Sequence, residues 1–367
     1  MNEPGMHTEI AELLIRWYAQ NKRELPWRET KDPYRIWVSE IILQQTRVVQ
    51  GLEYFNRFME RFPEVSLLAA AGEDEVMRYW QGLGYYSRAR HLHAAAKEIV
   101  LKYGGEFPHT YAEILGLKGI GEYTAAAICS FAWGLPYAVV DGNVYRVLAR
   151  LFAIDTPIDS TTGKREFAEL AQLLLDRRRP DLYNQAIMDF GALQCTPQSP
   201  DCSSCPLLDR CMAKTAGGVE RFPVKIGKTV VKSRYFHYLH IRCRGVTLLS
   251  RREAKDIWRN LYEYPLIETE RPFDLGELQQ TEAWRQLLEG AGRIQILHVC
   301  RMPKHVLSHR IIHACFYEIE VEHFTEAMNG YLQVTDVDLE KYAVSRLIEL
   351  YREKTNDEGQ LNFTLEN

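Results

Sequence analysis

The sequence lacks the features that mark membrane proteins, secreted proteins and uniformly basic nucleic-acid binders. None of its apolar runs approaches the roughly 20 residues that a membrane-spanning helix needs. The N-terminus, MNEPGMHTEI, has neither the basic start nor the apolar stretch of a secretory signal. The 49 acidic residues outnumber the 45 Lys and Arg, which leaves a net charge of −4. We expect a cytoplasmic protein in which any contact with nucleic acid comes from local patches and backbone donors.

Length and pattern predict two domains. At 367 residues the chain is long enough to bury two separate cores. Residues 1–213 place apolar side chains at helical spacing between Gly and Pro breaks, which predicts an all-α domain. The predicted helical segments are 9–20, 36–50, 52–59, 66–80, 87–103, 122–132, 143–152, 165–175 and 182–193.

The pattern changes after residue 213. Residues 214–232 carry mostly basic charges among glycines and a proline, as linkers do, and residues 233–367 form the second predicted domain. That domain alternates segments rich in β-branched and aromatic residues, which predict strands, with helical patterns. The strands are predicted at 235–250 and 311–321, and the helices at 278–290 and 338–354. We therefore expect an α+β domain.

Four of the eight cysteines lie within 17 residues, at the end of the first domain. A group this tight suits either tetrahedral zinc or an iron–sulfur cluster, and unligated structural cysteines are the alternative. Zinc sites usually contain two short C-x2–4-C pairs, whereas this C-x6-C-x2-C-x5-C spacing contains one, so the spacing modestly favours a cluster. The four residues are Cys195, Cys202, Cys205 and Cys211.

A Gly-x-Gly turn and an aspartate occur in order ahead of these cysteines. Gly119 and Gly121 in LKGIGEYTAAAICS predict a tight turn that opens a helix, where backbone N–H groups suit a phosphate. A plain turn between helices is the alternative. Asp141 in AVVDGNVYRVLARL precedes a new helix and can cap it. A carboxylate held by helix N–H groups stays ionised and can also face a developing cation, so both roles are compatible.

Glu40 lies within the strongly apolar helical segment RIWVSEIILQQTRVVQ. It follows Ile36 by four residues and precedes Leu43 by three, and charged residues are rare on such a face. A surface glutamate or a buried ion pair would explain it without a functional role. A glutamic acid in an apolar pocket has a raised pKa and can instead deliver a proton.

Together these segments resemble the MutY-type adenine glycosylases of the helix–hairpin–helix (endonuclease III) superfamily. SEIILQQT matches the family's SE-x-x-LQQT segment, and residues 117–130 followed by Asp141 match its hairpin and Gly/Pro-Asp signature. The resemblance covers about residues 10–355. It implies a multidomain fold, with an all-α glycosylase domain (hairpin at about 110–131, iron–sulfur loop at 195–211) followed by an α+β Nudix-like domain. Further matching segments are LPWR, GLGYYSRAR, VDGNVYRVLAR and MDFGALQCTP.

The resemblance implies a cofactor and a mechanism. The four cysteines would hold a [4Fe–4S] cluster that is structural and helps to dock DNA. Glu40 would protonate adenine as general acid, and Asp141 would stabilise the cation at the sugar or act as nucleophile, as paired carboxylates do. Tyr123 stands where bifunctional relatives carry a lysine. Because a phenol cannot form an imine, the sequence predicts a monofunctional glycosylase.

The remaining family roles fall on residues that could equally be core aromatics or solvated polar side chains. Trp27, Arg28 and Gln185 would line the pocket for a flipped adenine, and Asn143 would assist with Tyr123. The other predicted DNA contacts, including two wedge residues beside the opposite base, are Gln45, Thr46, Leu83 and Tyr85. Filling the vacated stack offsets part of the cost of flipping, which is least at a mispair.

The second domain resembles the Nudix-like domain of this family. Around residues 281–292 the glutamates are too few for the carboxylate box of a Nudix pyrophosphatase, so a recognition role is predicted instead. The segment HVLSHR matches the family's H-x-Phe-Ser-His loop, which implies contact of Ser308 and its neighbour His309 with 8-oxoguanine. Leu307 departs from the usual phenylalanine and stacks less well. An ordinary polar turn is the alternative.

We therefore expect a monomeric, bacterial-type cytoplasmic enzyme that acts on double-stranded DNA containing 8-oxoguanine:A or G:A. An endonuclease III-like or thymine glycosylase is the nearest enzyme alternative. A non-catalytic iron–sulfur DNA-binding protein and a nucleotide pyrophosphohydrolase are alternatives from other classes. The paired Glu40 and Asp141 argue against the former, and the missing carboxylate box argues against the latter.

Overall fold

The structure, a computed structural model, describes residues 4–227 and 231–364, and it describes side chains from residue 5 to residue 355. The described chain divides into two compact units. The first contains the residues up to 70 and residues 91–227, and the second contains residues 71–90 and the chain beyond 227. The predicted linker 214–232 lies at this boundary, with positions 228–230 outside the described residues. Residues 71–90, which the sequence assigns to the helical domain, group with the second unit.

The chain up to Thr215 is helical. The helices are α1 (Pro4–Asn21), α2 (Pro33–Leu43), α3 (Val48–Arg61), α4 (Val65–Ala70), α5 (Glu73–Trp80), α6 (Ser87–Tyr103), α7 (Tyr111–Gly116), α8 (Glu122–Trp133), α9 (Gly142–Leu151), α10 (Thr161–Leu174), α11 (Pro180–Leu193) and α12 (Met212–Thr215). Buried apolar side chains of α1, α9, α10 and α11 form one core of the first unit. No helix of the described residues is long and apolar enough to cross a membrane.

Two helices predicted as continuous are interrupted. The segment 36–50 breaks after Leu43 because Gln45 adopts the left-handed backbone conformation, with φ of 57°, before α3 begins at Val48. The segment 66–80 breaks at Gly72, which caps α5. Three acidic residues in the first turn of α5 favour a helix start there, because they complement the helix dipole.

The predicted hairpin is built by α7, a five-residue turn and α8. Thr110 and Glu113 form a reciprocal capping box at the start of α7. Gly119 has φ of +81°, and a Cβ there would lie 2.5 Å from the Cβ of His91. Only glycine fits this position. Gly121 caps α8, and nothing lies within 4 Å of the place where its Cβ would be.

The second unit is a mixed sheet covered on both faces. Its central strands, β1 and β7, are parallel, with β2 beside β1 and β5 beside β7 in antiparallel pairs. Side chains alternate along β1 and β7. One face packs against α13 and α14, and the other packs against α15. The elements are β1 (Lys232–Cys243), β2 (Val246–Arg251), β3 (Tyr262–Glu263), β4 (Leu266–Thr269), α13 (Leu275–Gln279), α14 (Glu282–Leu288), β5 (Ile294–Arg301), β6 (His305–Val306), β7 (Arg310–Val321), β8 (Leu332–Thr335) and α15 (Arg346–Thr364).

The sequence predicted the class of this domain but merged several of its elements. The single strand predicted at 235–250 is a hairpin that turns at Arg244 and Gly245, both of which have positive φ. The helix predicted at 278–290 is two short helices, each with its own capping residue. The helix predicted at 338–354 is interrupted: a 3-10 turn ends at Lys341, Val344 forms a bridge with Tyr262, and α15 begins at Arg346.

Candidate active site

A pocket of about 550 Å³ in the first unit brings together most of the residues predicted to do the chemistry. Its size is typical of sites for small ligands. Its wall is formed by ends of helices and by the short 3-10 turn at Pro26–Arg28, so several separate elements position the side chains. The predicted residues among its lining are Trp27, Arg28, Glu40, Gln45, Thr46, Tyr123, Asp141, Asn143 and Gln185.

Glu40 is buried in this pocket and is 7% exposed. It belongs to α2, a helix that is buried on nearly every side. Burial raises the pKa of Glu40 from 4.5 to about 7, because the charged form loses hydration. The nearby charge of Asp141 also raises this pKa, whereas a hydrogen bond from Tyr123 and the charge of Arg28 lower it. The Tyr123 hydroxyl donates to Glu40 Oε2 at 2.7 Å, which leaves Oε1 as the oxygen that can carry the proton.

Asp141 is the N-cap of α9, as its place in the sequence suggested. Its Oδ1 accepts hydrogen bonds from the backbone N–H groups of Asn143 and Val144, at 2.9 and 2.8 Å. Its Oδ2 accepts one bond from Asn143 Nδ2 at 2.8 Å. Burial raises the pKa of Asp141, and these bonds oppose that effect. The bonds therefore favour the ionised form, as predicted, but burial outweighs them.

Two pocket residues, Arg28 and Gln185, are held by side chains that the sequence did not identify. Arg28 Nη1 and Nη2 donate to the two carboxylate oxygens of Asp189, at 2.5 and 2.7 Å. Asp189 is fully buried on α11 and also pairs with Arg23. The Tyr18 hydroxyl donates to Oε1 of Gln185 at 2.6 Å. Asp189 could have been identified from the sequence, because it is a single charged residue in the apolar segment MDFGALQC, as Glu40 is in its own segment. Nothing in the sequence distinguished Tyr18 from a core aromatic.

Arg146 connects the Asp141 cap to the cysteine loop. Its Nη2 donates to Asn143 Oδ1 at 2.8 Å and to the Gly191 carbonyl at 2.6 Å. Its Nε donates to the carbonyl of Cys195 at 2.8 Å. Gly191 allows this approach, since a Cβ there would lie 2.7 Å from the Cβ of Asn143. A continuous hydrogen-bonded path thus links the predicted catalytic aspartate to the first cysteine.

The four clustered cysteines line one small cavity of about 30 Å³. All four are free thiols, and the neighbouring Arg150 donates to Cys195 Sγ at 3.4 Å and to the carbonyl oxygens of Thr196 and Pro197. Within residues 4–227 and 231–364, no three His, Cys, Asp or Glu side chains are arranged to hold a single metal ion. The remaining cysteines, Cys129, Cys243, Cys300 and Cys315, are buried, as expected for small apolar residues.

The residues predicted to line the pocket and those predicted to contact DNA beside it differ in exposure. Trp27 is buried and its ring packs edge-on against Phe55, with centroids 5.2 Å apart. Gln45 is exposed and adopts the left-handed backbone conformation, which costs a non-glycine residue on the order of 1 kcal/mol. Thr46 follows it and is half-buried. Strain at an exposed tip beside a pocket is a common mark of a functional position.

The remaining predicted contacts lie in the second unit. Tyr85 has a positive φ of 46° and is 44% exposed, and its hydroxyl is hydrogen-bonded to Ser308 Oγ. His309 is exposed, and its carbonyl accepts a bond from Lys232 N–H. Leu307 packs against the core on one face of the sheet, and Leu83 is buried. Leu83 therefore presents little surface to a ligand, whereas Leu307 is only partly covered.

Comparison with known proteins agrees with this architecture. The pattern of the family described as HhH-GPD superfamily base excision DNA repair protein matches residues 38–173, and the NUDIX domain pattern matches residues 237–354. Among solved structures, the chain is similar to a thermostable thymine-DNA glycosylase, with 27% identity and a TM-score of 0.54. The similarity covers 57% of this chain and 97% of that one. An endonuclease III–DNA complex has the same fold, with 23% identity, a TM-score of 0.51 and coverage of 59% and 99%.

Two curated relatives are adenine DNA glycosylases. The protein of Buchnera aphidicola subsp. Schizaphis graminum is 33% identical over 261 residues, which cover 71% of this chain and 75% of that protein. The human protein is 46% identical over 211 residues, 55% of this chain, and the match spans 38% of its length. The chain therefore belongs to the adenine DNA glycosylases, N-glycosyl hydrolases of the HhH-GPD base excision repair superfamily that here carry a Nudix-like C-terminal domain.

Proposed function

We propose that this protein removes adenine paired with 8-oxoguanine or guanine from double-stranded DNA and leaves the sugar–phosphate backbone intact. The adenine would leave the stack and enter the 550 Å³ pocket, at a cost of a few kcal/mol that a mispair reduces. Glu40 would protonate the base, and Asp141 would face the positive charge that develops on the sugar.

The state of Glu40 is the observation that carries this proposal. Adenine is a poor leaving group until a ring nitrogen is protonated, so the reaction needs an acid that still holds its proton near neutral pH. A pKa of about 7 meets this need. Because the Tyr123 hydroxyl donates to Oε2, Oε1 would be the oxygen that carries the proton for transfer. Tyr123 itself keeps its proton, since burial and the neighbouring carboxylates raise its pKa well above 10.

Asp141 is suited to the second role by its fixed position. Two backbone N–H groups hold Oδ1, while Oδ2 has a single side-chain donor and retains capacity to approach the sugar. A rigid carboxylate in a desolvated site stabilises a developing cation more strongly than the same group in water does. The raised pKa of Asp141 fits the same desolvation.

The lining of the pocket supports a monofunctional enzyme. Lyase chemistry requires an amine that attacks the sugar and forms an imine. Among the described residues that line the pocket there is no lysine, and Tyr123 supplies a phenol instead. Excision would therefore end with a base-free sugar in an unbroken strand.

The exposed loop of the second unit would read the opposite base. Ser308 and Tyr85 form a hydrogen-bonded pair of exposed polar groups, and each hydroxyl can exchange its partner for a base edge. Because Leu307 is partly buried against the core, we assign the readout of 8-oxoguanine to Ser308 and Tyr85 rather than to stacking by residue 307.

The cysteine loop would hold a [4Fe–4S] cluster through Cys195, Cys202, Cys205 and Cys211. Four free thiols that line one cavity fit such a group, and neighbouring guanidinium and backbone donors complete its surroundings. When bound, the cluster would tie the loop together and stabilise the surface that docks DNA. Anaerobic purification followed by iron and sulfide analysis tests this assignment. Cys202→Ser should lose iron, and the control Cys300→Ala should keep it.

The central experiment incubates the protein with duplexes containing 8-oxoguanine:A, G:A or G:T and analyses the free bases and the strands. We expect free adenine from the first two duplexes, and strand breaks only after alkali treatment. Release of thymine, breaks without alkali that borohydride can trap, or intact adenine would each contradict the proposal. Light scattering of the protein bound to the duplex tests the expectation that one copy of the protein acts alone.

A further inference from the structure

A buried tyrosine that is not among the predicted catalytic residues contacts two polar residues of the pocket. Tyr18 lies on α1, is 4% exposed and packs within the core of the first unit. Its ring lies 5.8 Å from the Arg28 guanidinium, and its hydroxyl donates to Gln185 Oε1. Arg28 and Gln185 both line the pocket. Tyr18 therefore touches two of the groups that would face an extruded base while itself standing behind them.

The hydrogen bond from Tyr18 determines which end of the Gln185 amide faces the pocket. A glutamine side chain has one accepting oxygen and one NH2 group with two donors. The oxygen is held by Tyr18. Over the described residues, no protein acceptor is hydrogen-bonded to the NH2 group, so its donors remain available in a pocket that Gln185 lines.

The opposite orientation of the amide is disfavoured by the phenol itself. Burial raises the pKa of the Tyr18 phenol, which therefore keeps its proton. If the amide turned over, the NH2 group of Gln185 would face the phenol, and the phenol proton would lose its acceptor. An unpaired buried donor costs about 1–3 kcal/mol, enough to hold one orientation.

We propose that Tyr18 is a positioning residue for base recognition: it holds the amide oxygen of Gln185, so that Gln185 donates from its NH2 group to a ring nitrogen of the extruded adenine. This inference rests on the proposed function and specifies how the pocket recognises its substrate. The nitrogen that accepts from Gln185 differs from the one that Glu40 protonates, because one lone pair cannot serve both. The exocyclic amine of adenine, a donor, has no role in this contact.

The test combines one protein variant with base analogues. Single-turnover excision rates are measured opposite 8-oxoguanine for adenine, for 1-deazaadenine, 3-deazaadenine and 7-deazaadenine, which each lack one ring nitrogen, and for purine, which lacks the amine. Tyr18→Phe keeps the ring and removes the hydroxyl. The matched control is Tyr183→Phe, since Tyr183 is equally buried in the same core and its hydroxyl has no hydrogen-bond partner among the described residues.

We expect Tyr18→Phe to slow adenine excision by roughly three- to tenfold, the range of one hydrogen bond. The loss should persist with purine and vanish with one of the three deaza analogues, while Tyr183→Phe leaves all rates within about twofold. An equal loss on every analogue, or a loss that vanishes only with purine, would overturn the inference. If the unmodified protein released no adenine at all, the proposed function itself would fail, which is a distinct result.

A second variant keeps the inference testable if Tyr18→Phe does not fold. Gln185→Glu retains the length of the side chain and still accepts from Tyr18, but it has no NH2 donor when ionised. It should excise adenine more slowly and lose the dependence on the ring nitrogen that accepts from Gln185, so that the deaza analogue lacking that nitrogen is excised about as fast as adenine. An unchanged order of substrates in Gln185→Glu would also overturn the inference.

Discussion

The two proposed base-contacting regions are built in opposite ways. In the pocket of the first unit Glu40 is buried and Asp141 is half-buried, and each is held by hydrogen bonds from its neighbours. In the second unit Tyr85 and Ser308 are exposed, and their hydroxyl groups are hydrogen-bonded to each other. When a reacting group is removed from water, its pKa shifts and its electrostatic interactions become stronger, and both effects favour catalysis. A group that reads a base within a duplex must instead stay accessible. The difference fits the proposal that one region performs catalysis and the other discriminates.

Removing the buried acid gives the largest expected effect. Glu40→Gln keeps the size and the hydrogen-bonding capacity of the side chain but cannot deliver a proton. We expect the single-turnover rate to fall by about 10²- to 10⁴-fold, the usual contribution of general acid catalysis. Affinity for the 8-oxoguanine:A duplex, measured by anisotropy, should change little. A variant that binds and excises normally would show that burial of Glu40 serves structure alone.

The aspartate offers a way to separate charge from capping. Asn and Asp cap helices about equally well, so Asp141→Asn should leave the melting temperature nearly unchanged. The loss of negative charge beside the developing cation should slow excision by about 10²- to 10³-fold. Equal losses of rate and stability would mean that Asp141 acts mainly as the cap of α9.

Burial of Glu40 also predicts a cost in stability. Folding raises its pKa from 4.5 to about 7, so the folded protein retains a proton that the unfolded chain releases across this window. The free energy of unfolding should therefore fall as pH rises from 4.5 to 7, by up to about 3 kcal/mol. Glu40→Gln should remove this contribution, and denaturant titrations of both proteins at pH 5 and pH 8 measure it. Parallel pH dependence in the two proteins would contradict the burial argument.

The exposed region gives the smallest expected effect. Ser308→Ala removes one hydroxyl that can rebond to a base edge, which is worth roughly two- to tenfold. The change should appear as a smaller preference for 8-oxoguanine:A over G:A, with excision from G:A unchanged. Ser233→Ala, on β1, is a control for removing a hydroxyl from the same unit. An equal loss on both duplexes would assign Ser308 to general DNA binding.

The sequence predicted the parts of this site that follow from local rules. Asp141 precedes a helix and caps it, and the Gly119 turn has the geometry that only glycine tolerates. The charge of Glu40 within an apolar segment correctly indicated a buried acid with a raised pKa. Each of these inferences uses neighbours along the chain, which a sequence displays directly.

The remaining features depend on contacts between distant segments. Tyr18 meets Gln185 across 167 positions, and Arg28 meets Asp189 across 161, so neither pair leaves a local pattern. The division of the chain into two units was also not predictable from local sequence, because the grouping of residues 71–90 with the second unit depends on tertiary packing. The breaks at Gln45 and Gly72 were missed because apolar spacing continues through them.

The dependence of excision on pH tests the central claim most directly. Single-turnover rates on an 8-oxoguanine:A duplex, measured from pH 5 to pH 9 under conditions that saturate binding, report the protonation of the acid in the complex. If protonated Glu40 drives the reaction, the rate should be high below pH 7 and fall about tenfold per unit well above it, with an apparent pKa near 7. Glu40→Gln should be slow and nearly independent of pH over the same range. A rate that stays constant or rises through pH 7 in the unmodified protein would contradict the account.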